Sequence, residues 1–140
     1  MPKKKQKNEG DGYWPDDLVD ESVVPPGRIL HEAADELSKR TGGVLTAEPT
    51  QIGEPRSGEL IYAFYLVAPA LHDFRYELFR VVVRVHMYPA ELRGGILDTY
   101  YDLPNEQAFR TKLQDLFASD KVRRIVSALV AESKEQQSDG

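Results

Sequence analysis

The sequence predicts an α+β domain: one antiparallel sheet of three or four strands, arranged as a meander, with helices packed on one face in the order α-β-β-β(-β)-α-α. Residues 58 to 87 carry the first observation behind this prediction. They hold two runs rich in β-branched and aromatic residues, separated by the short connection Pro69-Ala-Leu-His-Asp73, which reads as a hairpin. The second observation is that the flanking segments repeat their apolar residues at helical spacing instead. The third is that both alternating registers of the first run are apolar, Leu60, Tyr62, Phe64 and Leu66 against Ile61, Ala63, Tyr65 and Val67. Such a strand leaves neither face cheaply in water, so the sheet calls for cover on both sides.

Along the chain, residues 1 to 26 read as a flexible tail, with a lysine-rich start, Gly10-Asp-Gly12, Pro15-Asp-Asp17 and Pro25-Pro26 as breakers. Tyr13, Trp14, Leu18, Val23 and Val24 are apolar anchors inside it. A single domain follows over 27 to 133. Arg28 to Lys39 forms a helix whose stripe is Ile29, Leu30, Ala33, Ala34 and Leu37, stopped by Thr41-Gly42-Gly43. Val44 to Ile52 is a strand that Pro49 assigns to a sheet edge. After the hairpin and Tyr88-Pro89, Ala90 to Arg93 continues a strand, Gly94-Gly95 supplies a turn or bulge, and Ile96 to Tyr101 is a fourth strand. Pro104 suits the first turn of a second helix with Phe109, Leu113, Leu116 and Phe117 at helical spacing. Ser119 caps a third helix through Glu132, striped by Val122, Ile125, Val126, Leu129 and Val130. Residues 134 to 140 are a polar end expected to fray.

Composition narrows the function classes. A chain of 140 residues with 41% hydrophobic content supports one core. It has no apolar run long enough to cross a bilayer, and its lysine start is not followed by the apolar stretch of an export signal. The absence of cysteine excludes thiol catalysis and thiolate metal sites, and agrees with a cytoplasmic setting. The net charge of -5 is uneven: residues 1 to 10 hold four lysines against one acid, residues 11 to 26 hold five acids and no base, and residues 27 to 140 hold 14 bases against 17 acids. A body so nearly balanced argues against binding a phosphate backbone, and Pro2-Lys-Lys-Lys5 reads as a solvated end rather than a nucleic-acid tag.

In the second long strand, Phe79, Val81, Val83, Val85 and Met87 form an unbroken apolar register, which assigns them to the core. The mixed register, Tyr76, Leu78, Arg80, Val82, Arg84 and His86, then lies on the outer face of the sheet. Aromatic and aliphatic groups rimmed by arginine have the composition of a protein interface. The sequence therefore points to a small protein-binding module of the chaperone, immunity or adaptor type, acting through this face on another protein or on a second copy of itself. No hydrolase, phosphate-loop, dinucleotide or zinc-protease motif is present, so an enzyme is not the first expectation, and neither a cofactor nor a metal is expected.

The alternative is a small ligand-binding or enzymatic site in the loop over 69 to 75, where His72 stands beside Asp73 and Arg75. Those neighbours suit acid-base chemistry, though nothing supplies a nucleophile. His31 and Asp35, one helical turn apart, and the strand trio Asp98, Tyr100 and Asp102 are weaker constellations, more simply read as surface contacts and a helix cap. In size and acidity the chain is similar to type III secretion chaperones, which also begin with a helix and a strand meander. Its last two helices run together at Asp115 to Lys121 with no strands between them, so the likeness is one of architecture class.

Overall fold

The computed structural model describes residues 12–56 and 58–139, and the lysine run at the chain start lies outside the described residues. Helix α1 (Pro26–Arg40) opens with proline, whose missing N–H is no loss in a first turn. Lys39 and Arg40 in its last turn face the negative end of the helix dipole. Thr41 closes it: the hydroxyl donates to the Leu37 carbonyl at 3.0 Å and accepts from the Leu45 N–H at 3.1 Å, which turns the chain into the sheet.

The sheet is an antiparallel meander with spatial order β1-β2-β3-β4-β5. Its strands are β1 (Thr46–Arg56), β2 (Glu59–Ala68), β3 (Phe74–Arg84), β4 (Ala90–Arg93) and β5 (Tyr101–Leu103). β1 lies at the edge, where Pro49 costs no ladder bond to a second neighbour. A short 3-10 turn, Pro69–Leu71, followed by His72 and Asp73 with left-handed backbone, reverses the chain between β2 and β3.

Five strands replace the expected three or four, and the fourth expected strand is redistributed. Ala90–Arg93 pairs in its own right with both neighbours, whereas Ile96 to Tyr100 is a loop. The Ile96 side chain is buried in the core and its N–H donates to the Leu78 carbonyl at 3.0 Å, so an anchored turn outcompetes continued pairing. Gly95 makes this approach possible. Its φ is +58°, and an added Cβ would stand 2.1 Å from the Leu78 oxygen.

The Leu78 carbonyl is available because β3 carries a bulge there. Phe64 pairs with Phe79 but Tyr65 pairs with Glu77, which leaves Leu78 as an extra residue. The extra residue inverts the alternation of β3. On the far side of the bulge Tyr76, opposite Leu66, joins the inner face, while Arg75 and Glu77 join Arg80, Val82 and Arg84 on the outer one. This corrects the expected outer register at two positions: Leu78 is fully buried in the core and Tyr76 packs against it. The expected inner register is corrected at its end. β3 stops at Arg84, Met87 has a left-handed backbone, and Val85 is 77% exposed. His86 sits in that turn, not on the sheet.

Helices α2 (Glu106–Phe117) and α3 (Asp120–Asp139) return the chain to the inner face. Pro104 precedes the cap rather than entering the helix, and Asn105 is the cap, accepting from the Ala108 N–H at 2.8 Å. Ser119 caps α3 as expected, through the Val122 N–H at 3.3 Å. α3 runs past Glu132 to Asp139, since Lys, Glu and Gln hold helix well and no glycine or proline intervenes. The core is one cluster between the inner face and the three helices. Phe64 and Phe79 stack at 5.0 Å, with Phe117 of α2 tilted over both at 5.8 and 6.1 Å.

Candidate functional site

Among the described residues no helix lies on the outer face, and its charged side chains pair with one another. Arg75 pairs with Glu48 and lies over the Tyr65 ring at 4.4 Å. Arg80 forms a two-point fork with Glu77 at 2.7 and 3.1 Å, a contact that raises the arginine pKa further above its usual value. Arg84 bridges Glu59 at 3.4 Å and Glu91 at 3.5 Å, and Arg93 completes the lattice with Glu91 at 3.2 Å. On the same face Ala63 and Val82 are buried, Val82 to 2% exposure. Of the six residues expected to form a binding surface, the structure brings together Arg80, Val82 and Arg84, and separates Tyr76, Leu78 and His86 from them.

In the alternative loop site, His72 and Asp73 are exposed, and Arg75 turns to Glu48 and Tyr65 instead of toward them. None of the three grooves described below is lined by the connection His72-Asp73 or by Arg75. Asp98 and Tyr100 stand in the loop before β5 and Asp102 within it. His31 faces the Gly27 carbonyl at 3.0 Å. Among the described residues no group of three or more His, Asp or Glu side chains is placed to hold a metal ion, and no helix is long and apolar enough to cross a membrane.

The hollows lie on the helical side. Between α1 and the α2-α3 corner a groove of about 590 Å³ opens over the core. Its floor is Phe64, Leu66 and Leu78 from the sheet, and its walls include Leu37 of α1, Phe117 of α2 and Val126 of α3. A second hollow of about 610 Å³ adjoins it between α1 and α2, sharing Ala33 and Phe117. Volumes of this size, with apolar floors and polar mouths, are those of binding clefts. Along this groove Arg123 has no carboxylate partner among the described residues and Arg40 pairs with Glu36 at 3.4 Å, whereas the adjoining hollow carries Lys39 and Asp35 beside the pair of Arg110 with Glu32 at 3.2 Å.

A third hollow of about 590 Å³ lies at the start of α1, against Leu60, Tyr62, Val85 and Met87. Tyr88 closes the molecule near there: its hydroxyl donates to the Val24 carbonyl at 2.9 Å and its ring meets Phe109 edge-on. Burial, reinforced by the Glu106 charge and opposed by Arg110, pushes the Tyr88 phenol up to about 12.

The sequence did not single out the groove as a site, although Leu37, Phe117 and Val126 fall on its helical stripes and Phe64 and Leu66 in one of the two apolar registers of the first strand. Periodicity marks a residue as core-facing, but not whether the opposing helices meet over it. The chain matches no protein-family model, no curated protein and no solved structure.

Proposed function

We propose that the protein is a non-catalytic protein-binding module of the chaperone, immunity or adaptor type, working in a cytoplasmic setting, and that its groove between α1 and the α2-α3 corner takes an acidic partner segment bearing large apolar side chains. One observation carries this reading: half-buried Leu37, Phe117 and Val126 from the three helices line one groove above the buried Phe64, Leu66 and Leu78. Arg123 on its rim, without a carboxylate partner among the described residues, favours an acidic residue beside the inserted side chains. The outer face is a second reading, because Ile61 and Tyr65 there are only half-buried.

A photo-crosslinking phenylalanine analogue at Leu37, in the groove, or at Tyr65, on the outer face, tests the two against each other. Specific protein adducts from position 37 and not from 65, with the attached peptide sequenced, are the expected result. Adducts confined to position 65 would move the interface to the outer face. Their absence at both positions would remove the binding reading.

A further inference from the structure

The hollow at the start of α1 shares no lining residue with the groove or with the hollow beside it, so it can be filled independently of both. Its apolar wall reaches solvent. Leu60, Tyr62 and Met87 are half-buried, and Val85 in the turn after β3 is 77% exposed, the most exposed large hydrophobic side chain among the described residues from α1 onward. A hollow of about 590 Å³ with such walls is in the range of clefts that take small organic molecules.

The polar groups of the wall set the charge of what fits. Two arginines, one glutamate and one histidine line it. Arg84 and Glu59 pair with each other at 3.4 Å, and the His31 ring is turned to the Gly27 carbonyl at 3.0 Å. Arg28 is left without a carboxylate partner among the described residues: α1 has no acid in its first turn, and Glu32, one turn on, is engaged by Arg110 at 3.2 Å. The Tyr62 hydroxyl, too, has no hydrogen-bond partner among the described residues, and it lies against Gly27, where an added Cβ would stand 3.1 Å from its oxygen. Gly27 has no left-handed backbone, so the room it leaves beside Tyr62 is what distinguishes it from alanine there.

We propose that this hollow binds a small monocarboxylic acid with an apolar aryl or alkyl body, the body lying on Leu60, Val85 and Met87 and the carboxylate meeting the Arg28 guanidinium and the Tyr62 hydroxyl. A carboxylate offers two acceptor oxygens, one for each of these donors, and a guanidinium matches its planar geometry. One unpaired cation balances one negative charge, which favours a carboxylate over a phosphate ester. The site goes beyond the protein-binding reading and stands whether or not a partner occupies the groove.

The probe is phenylbutyrate, titrated into the full, isotopically labelled chain and followed by amide NMR, with phenylbutylammonium as the control of opposite charge. Saturable shifts centred on Arg28, Tyr62, Val85 and Met87 are expected, with a Kd of about 1 mM or tighter. The ammonium should bind at least about tenfold more weakly. Arg28→Gln, an exposed change, should weaken phenylbutyrate about tenfold, and Tyr62→Phe, which keeps the ring, about fivefold.

Absence of saturable shifts overturns the proposal, as do shifts centred on Leu37 and Arg123, which would place the acid in the groove. Equal affinity for the ammonium, or affinity unchanged in both variants, overturns the assignment of an acid. If phenylbutyrate binds only after Trp14→Ala and Leu18→Ala are introduced together, the hollow is the seat of the chain's own preceding segment, and the small-molecule site falls.

Discussion

The two faces of the sheet bury comparable strands by different means. On the inner face, rings and aliphatic chains from β2 and β3 meet three helices, and stability comes from area removed from water. Among the described residues no helix packs on the outer face, where the charged ends of four arginines are paired with glutamates and Ala63 and Val82 are buried. Exposed pairs of that kind contribute roughly 0–1 kcal/mol each. The outer face therefore solves a solubility problem, and the inner face makes the fold. The helical side is also where the groove lies, lined by half-buried Leu37, Phe117 and Val126.

Substitutions ranked by expected cost put this contrast at risk. Phe79→Ala removes a ring stacked on Phe64 and touching Phe117, and is expected to cost about 3–5 kcal/mol in urea unfolding. Gly95→Ala forces a Cβ against the Leu78 carbonyl in a left-handed conformation, and should cost about 2–3 kcal/mol by the same measurement. A loss under about 0.5 kcal/mol there would mean the loop relaxes and the bulge does not depend on its anchor.

Tyr88 sharpens the comparison through pH. Its phenol is raised from the ordinary 10.0 to about 12, so the folded state holds the proton more tightly than the unfolded chain. Its contribution is complete below pH 10.0 and is lost as pH rises through about 12. Tyr88→Phe should lower stability at neutral pH by about 1 kcal/mol, through the lost bond to Val24, and flatten the alkaline decline. A decline unchanged in the variant would assign it to other groups.

Asn105→Ala removes the α2 cap at an expected cost of about 1 kcal/mol. The smallest effect is expected on the outer face, where Arg84→Gln should cost under about 1 kcal/mol, and less in high salt. If Arg84→Gln instead rivalled Phe79→Ala, the outer lattice would be structural and the contrast between the faces would fail.

How much was legible in the chain follows the same division. The helices, the central hairpin and the edge position of β1 were readable because stripes such as Val122, Val126 and Leu129, and breakers such as Pro49, act locally. The outer positions Arg80, Val82 and Arg84 were also readable, since alternation holds on that side of the bulge. Tyr76 and Leu78 were not, because a bulge is decided by pairing between strands and leaves no mark in either strand alone. The loop at Ile96 was missed for a related reason: an apolar run after two glycines fits a strand equally well until the Leu78 carbonyl offers its N–H a partner. The groove was illegible as a site because it is a gap between elements.

The extra residue at Leu78 acts on β3 as an insertion acts on a reading frame. A chain of the same fold lacking one residue between Phe74 and Phe79 would turn the counterparts of Arg75 and Glu77 toward the helices and send the counterpart of Tyr76 to water. Spacing along this stretch therefore decides which face a side chain takes, before its identity does. In comparing homologous chains, a single gap misplaced across these positions would make conserved faces look scrambled, while the correct gap would restore them.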